Sequence, residues 1–114
     1  MTFGMVVQLP VTDSFGTDAD FDLRTQLERD LSAALAAECA GECGRGDTDA
    51  GRMSIYLEIV PDPNLTLRVV KDVLSRLELL HRATVVLETR SDADPDDIDR
   101  RTLWPLQPAP ARVA

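Results

Sequence analysis

The stretch Arg52 to Arg90 constrains the fold most. Met53, Ile55, Leu57 and Ile59 alternate with Ser54, Tyr56 and Glu58, the period of two that marks a half-buried strand. Asp62-Pro63 then supplies a helix start, because aspartate accepts from orphan N–H groups and proline at the first helical position has none to orphan. From Leu65 to Leu80 the apolar residues recur at threes and fours: Leu65, Val69, Val70, Val73, Leu74, Leu77, Leu80. Lys71, Asp72, Ser75, Arg76 and Glu78 fill the remaining face, so the spacing predicts a helix from Asp62 to Arg82 with one broad stripe packed on a sheet. His81 and Arg82 fall in its expected last turn, where positive groups suit the helix dipole. Val85 and Leu87, alternating with Thr84, Val86 and Glu88, predict a second strand. The two strands of such a unit run parallel, with a right-handed crossover.

Upstream, Phe3 to Val11 reads as a strand with Met5, Val7 and Leu9 toward the core and Val6 and Gln8 opposite. Thr12 to Asp18 reads as a loop, with Thr17 or Asp18 as cap of a helix from about Asp20 to Ala40. Leu23, Leu27, Leu31, Leu35 and Cys39 repeat every four residues, joined by Phe21 and Ala34, and Gly41 is the expected stop. Gly41 to Gly51 holds four glycines and reads as a turn-rich connection, with a short strand over Glu42 to Arg45 as an option that the glycines weaken.

The order strand, helix, (short strand), strand, helix, strand predicts an α+β domain over residues 1–90. This layout resembles the ferredoxin-like two-layer sandwich, βαββαβ with the second strand short or absent. The resemblance implies two helices on one face of a four-stranded antiparallel sheet, and it implies no particular function. Residues 91–114 are expected to form an acidic, then Pro/Ala-rich tail partly packed on the domain, with a short helical turn at Asp94-Pro95.

Charge and composition exclude more than they assign. A net charge of −8 and a pI near 4.5 argue against non-specific binding to nucleic acid or anionic membrane, both of which need clustered Lys and Arg. No apolar run is long enough to span a bilayer, and the first ten residues lack the basic start of a signal peptide. Cys39 and Cys43, the only cysteines, are expected as free thiols in a cytoplasmic protein, Cys39 buried and Cys43 in a loop. With His81 the only histidine, no nucleophile–base set and no metal-ligand set assembles, so neither catalytic residue nor cofactor is expected.

The remaining candidates are surfaces. Arg45, Asp47, Asp49 and Arg52 could form a ligand-binding loop, although they match no phosphate-binding or dinucleotide motif. Tyr56, Glu58 and Glu88 fall on the sheet face away from the helices, a candidate surface for a partner or a homodimer. Asp92, Asp94, Asp96, Asp97 and Asp99 form an acidic run that lacks the glycine and glutamate of a calcium loop and suits a basic partner instead. Trp104, with Leu103 and Leu106, either covers a sheet edge or face or anchors another chain. The expected function is a small acidic, non-enzymatic protein-binding domain of inhibitor or immunity-like kind. The alternative is a homodimeric regulatory domain that responds to a small molecule or metal.

Overall fold

The computed structural model describes residues 2–11, 16–94 and 96–105, without the side chain of Arg45. Seven regular elements follow in order: β1 (Thr2–Pro10), α1 (Asp18–Glu38), β2 (Glu42–Asp49), β3 (Arg52–Ile59), α2 (Pro63–Arg76), β4 (Thr84–Arg90) and β5 (Ile98–Trp104), with a 3₁₀ turn at Leu80–Arg82 before β4. The strands form one sheet in the order β2-β3-β1-β4-β5, with every neighbouring pair antiparallel. β3 and β4 both lie antiparallel to β1, so they run parallel to each other with β1 between them.

The alternation read from the sequence sets the sheet's two faces. Met5, Val7, Leu9, Met53, Ile55, Leu57 and Val85 are buried together with Leu27, Leu31 and Leu35 of α1 and Val70, Val73 and Leu74 of α2. Both helices therefore cover the same face. α1 begins in a capping box: Asp20 N donates to Thr17 Oγ1 at 3.2 Å and Thr17 N to Asp20 Oδ2 at 3.0 Å. α2 begins with Asp62 as cap and Pro63 in its first turn, with Asn64 N donating to Asp62 Oδ1 at 3.1 Å.

The sheet has five strands among the described residues where four were expected. β2 is twice the expected length because its glycines sit beneath side chains instead of in turns. A Cβ at Gly44 would strike the Glu58 side chain 2.8 Å away, and one at Gly46 would strike the Glu28 carboxylate and lie 3.1 Å from the Ser54 carbonyl. α1 lies over this strand, with Arg24 Nη1 donating to Thr48 Oγ1 at 3.0 Å. What read as a glycine-rich loop is thus a strand and a two-residue turn, Ala50-Gly51. Both turn residues have positive φ, 53° and 77°, which is the signature of a type I′ hairpin. Alanine in that conformation costs about 1 kcal/mol that glycine does not. Ala50→Gly is therefore expected to stabilise the domain by up to about 1 kcal/mol, read as a higher urea midpoint at unchanged slope.

The fifth strand comes from the segment expected as a tail. Ile98–Trp104 pairs along β4, and in the connection before it Asp97 N donates to Asp94 O at 3.0 Å, while the short helical turn expected at Asp94-Pro95 falls partly outside the described residues. Pro95, Leu106 and the Pro/Ala-rich end lie outside the described residues, as does most of the loop expected at Thr12 to Asp18.

Two helix ends also differ from expectation. α2 stops at Arg76, not Arg82, because Glu78 turns left-handed at φ 59° and Leu79 N donates to Leu74 O at 2.7 Å, closing the helix. His81 and Arg82 therefore lie in the separate 3₁₀ turn. α1 is closed by Cys39, left-handed at φ 50°, with Ala40 N bonded to Leu35 O at 2.9 Å. That turn swings Cys39 out to solvent, while Cys43 on β2 faces Leu57 and packs half-buried against the core. The two thiols thus exchange their expected environments. Burial raises the Cys43 pKa, which keeps the thiol protonated. Phe21, expected on the core stripe of α1, is 58% exposed, and the Arg24 guanidinium sits 5.1 Å from its ring centre.

Candidate functional site

The sheet face away from the helices carries no secondary-structure element among the described residues. Residues paired directly across antiparallel strands share a face, so the register defines this surface. β1 contributes Gly4, Val6 and Gln8, and β3 contributes Arg52, Ser54, Tyr56 and Glu58. β4 contributes Thr84, Val86, Glu88 and Arg90, while Arg100 and Thr102 of β5 lie opposite Glu88 and Val86. β2 adds Asp47 opposite Ser54 and Asp49 opposite Arg52.

The two residue sets singled out from sequence therefore meet on one surface. Asp47, Asp49 and Arg52, expected in a ligand loop, stand beside Tyr56, Glu58 and Glu88, expected in a partner surface. A β-bulge brings this about. Between Cys43 and Gly46 the strand β2 carries one residue more than β3, which flips its parity and sends Asp47 and Asp49 to the open side. Between Val85 and Val86 the register against β5 also shifts, and Trp104, which strict alternation would place with Arg100 and Thr102, turns to the helix side. There its Nε1 donates to Leu80 O at 2.9 Å, and Lys71 Nζ lies 4.3 Å from the ring centre. Trp104 is thus engaged within its own chain. Asp96 and Asp97 sit in the exposed turn between β4 and β5, where Asp96 N donates to Asp94 Oδ1 at 3.1 Å.

The open face is polar and internally linked. The Tyr56 hydroxyl donates to Asp47 Oδ2 at 3.3 Å. Desolvation, followed by the Asp47 charge, raises the Tyr56 pKa, so the phenol stays a donor and does not serve as a base. Gln8 Nε2 donates to Ser54 Oγ at 3.4 Å and Arg52 Nη1 donates to Gln8 Oε1 at 3.4 Å. Arg100 Nε donates to Glu88 Oε2 at 3.0 Å in an ion pair. Concavities lie at both ends of this side. One, of about 500 Å³, is walled by Tyr56, Glu58, Glu88, Arg90 and Arg100 around Gly4. The other, of about 360 Å³, lies at the opposite end between Gln8, Asp47, Asp49 and Arg52. Arg90, Arg100 and Gly4 were not singled out from sequence. Arg100 lies in the segment taken for a tail, and a glycine inside a strand is the signal that could have drawn attention to Gly4.

On the helix side, a groove of about 840 Å³ runs between α1 and α2, with Ala33, Ala37, Leu65 and Val69 among its walls. Among the described residues no three His, Cys, Asp or Glu stand close enough to hold a metal ion, and no helix is long and apolar enough to cross a membrane. Compared with family models, curated proteins and solved structures, the chain matches none of them.

Proposed function

We propose that this chain is a non-enzymatic protein-binding domain of inhibitor or immunity-like kind, acting in the cytoplasm through the open sheet face. We read its βαββαβ part as a ferredoxin-like sandwich to which β5 has been added. One observation carries the functional reading: the residues picked out for two separate sites, Asp47, Asp49, Arg52, Tyr56, Glu58 and Glu88, converge on one polar face that no element among the described residues covers. A tyrosine with arginines around it supplies the residue types enriched where proteins recognise one another.

The partner is expected to be basic. The face itself carries Asp47, Asp49, Glu58 and Glu88 against Arg52, Arg90 and Arg100, close to balance. The acidic surplus lies at its border, in the turn holding Asp92, Asp94, Asp96 and Asp97. Short-range specificity then belongs to the face and long-range attraction to the turn.

Affinity capture from native cells tests this. The expected result is one stoichiometric protein held at low salt and released near 0.5 M salt, where surface charges are screened within a few ångströms. Tyr56→Ala with Glu58→Lys is expected to abolish capture. Asp96→Asn with Asp97→Asn should lower it several-fold and flatten its salt dependence. Undiminished capture by the Tyr56/Glu58 variant would sink the reading. A homodimer that captures no second protein would transfer it to the regulatory-domain alternative.

A further inference from the structure

Arg52 and Arg82 flank the end of β1 from opposite sides. Arg52 of β3 pairs with Pro10 across one edge of β1. Across the other edge, Arg82 precedes by two residues Thr84, the β4 partner of Gln8. Both side chains reach back to β1. Arg52 Nη1 donates to Gln8 Oε1 at 3.4 Å, and Arg82 Nη2 donates to Pro10 O at 3.4 Å. Gln8 and Pro10 stand about 7 Å apart along one strand, so the two guanidinium groups are held within reach of one small ligand. Both wall a concavity of about 360 Å³, together with Thr84 and the turn Ala50-Gly51.

The charge of this place differs from that of its surroundings. The chain carries a net −8, and carboxylates wall both the concavity around Gly4 and the one between Gln8 and Asp49. No acidic side chain walls this one. Asp49 is opposite Arg52 in the hairpin register, yet the Arg52 guanidinium is engaged by Gln8 instead. Among the described residues neither arginine meets a carboxylate within ion-pair distance. Each guanidinium uses one N–H on a neutral acceptor, so most of its donors stay open. Two unneutralised cations held over one strand end repel each other, and an anion between them turns that repulsion into attraction.

We propose that this concavity binds a small phosphate monoester. Such a group carries a charge of about −1.5 to −2 near neutral pH and has three strong acceptor oxygens. Two guanidinium groups match that charge, and the Thr84 hydroxyl supplies a third donor in the same wall. A carboxylate carries a single charge and is satisfied by one arginine fork, which leaves the second arginine unanswered. The five heavy atoms of a phosphate group, at a water's share of about 30 Å³ each, fill less than half of the space. The remainder admits an organic body against Pro10 and Ala50. The site goes beyond the protein-binding reading and is tested on the purified chain, so either can fail without the other.

Phenyl phosphate, inorganic phosphate and benzoate are titrated separately into the isotopically labelled chain, with amide shifts followed by NMR. Phenyl phosphate is expected to bind with a Kd of about 0.1–1 mM, the range for a small polar ligand in a half-open site, and to move the amides of Gln8, Leu9, Arg52 and Thr84. Benzoate keeps the ring with a single charge and should bind at least about tenfold more weakly. Inorganic phosphate lacks the ring and should bind several-fold more weakly. Arg52→Gln and Arg82→Gln should each weaken phenyl phosphate about tenfold. Both side chains are exposed, so both variants are expected to keep Tm within about 3 °C. Arg29→Gln makes the same change of charge on α1, away from the concavity, and should leave the Kd unchanged. No shift of these amides up to about 10 mM phenyl phosphate would overturn the proposal. So would benzoate or inorganic phosphate binding as tightly as the ester, or a loss on Arg29→Gln equal to that on Arg82→Gln, which would mark a response to overall charge.

Discussion

Gly41→Ala is expected to destabilise the domain by about 3 kcal/mol, lowering Tm by about 12 °C at this chain length. Two independent effects act at this residue. Its φ of 143° lies where side-chain-bearing residues are strained. A Cβ there would also drive into the carbonyl oxygen of Ile59, with the Ile59 carbonyl carbon next at 3.4 Å. Both obstacles are backbone, so no rotamer change relieves them. Ile59 ends β3 and pairs with Glu42 at the start of β2, so any shift that made room would undo the first rung of the hairpin that carries Asp47 and Asp49 to the open face. Thermal and urea unfolding of the variant, with Gly4→Ala as a control, measures the effect. A Cβ at Gly4 would meet only the Leu57 carbonyl oxygen, at an ordinary contact distance of 3.4 Å, and the control should change stability by less than about 0.5 kcal/mol or increase it. A Gly41→Ala protein within 1 kcal/mol of wild type would mean that the chain leaves α1 along another path.

The same junction shows how far the sequence could be read. Residues buried by alternation on β1, β3 and β4, or by the four-residue repeat on α1, were legible because period and burial agree when one face is dry and the other wet. Leu27, Leu31 and Leu35 are all fully buried. Edges broke that agreement. β5 is exposed from Asp99 to Thr102, so no alternation survives to mark it as a strand, and Arg100 was lost to the site with it. β2 was obscured by glycines whose reason lies in α1 and β3, through Glu28 and Glu58, which no local pattern contains. The end of α2 was hidden because Leu77 and Leu80 continue the apolar stripe past a left-handed Glu78. For the site, the shared parity of Tyr56 and Glu58 was visible within β3. The arrival of Asp47 and Asp49 beside them, and the departure of Trp104 to the helix side, each depend on a one-residue bulge, and a bulge is a property of a pair of strands.

Thr66→Val is expected to cost about 2 kcal/mol although it preserves volume and shape. Thr66 is the one fully buried polar side chain, at 0% exposure among the described residues, and its hydroxyl donates to the carbonyl of Ala40. Ala40 is itself fully buried where α1 ends, with its N–H engaged by Leu35 O, so its carbonyl has no helical partner to return to. Valine would leave that oxygen unsatisfied in a dry place, which costs about 1–3 kcal/mol. Thr66→Ser keeps the hydroxyl and loses one methyl, for about 1 kcal/mol. The expected order of urea midpoints is therefore wild type, serine, valine. Valine within 0.5 kcal/mol of wild type would show that the hydroxyl carries no net weight. Thr66 and Gly41 act on one short path, Ala40-Gly41 against Ile59, one by holding the carbonyl before it and the other by letting it pass. Once either is lost, that path is free to relax, and less remains for the second to lose. The double variant Gly41→Ala/Thr66→Val is accordingly expected to lose about 1 kcal/mol less than the sum of the two single variants, the coupling typical of residues that share a partner. Strict additivity would mean that the two residues hold separate parts of the fold.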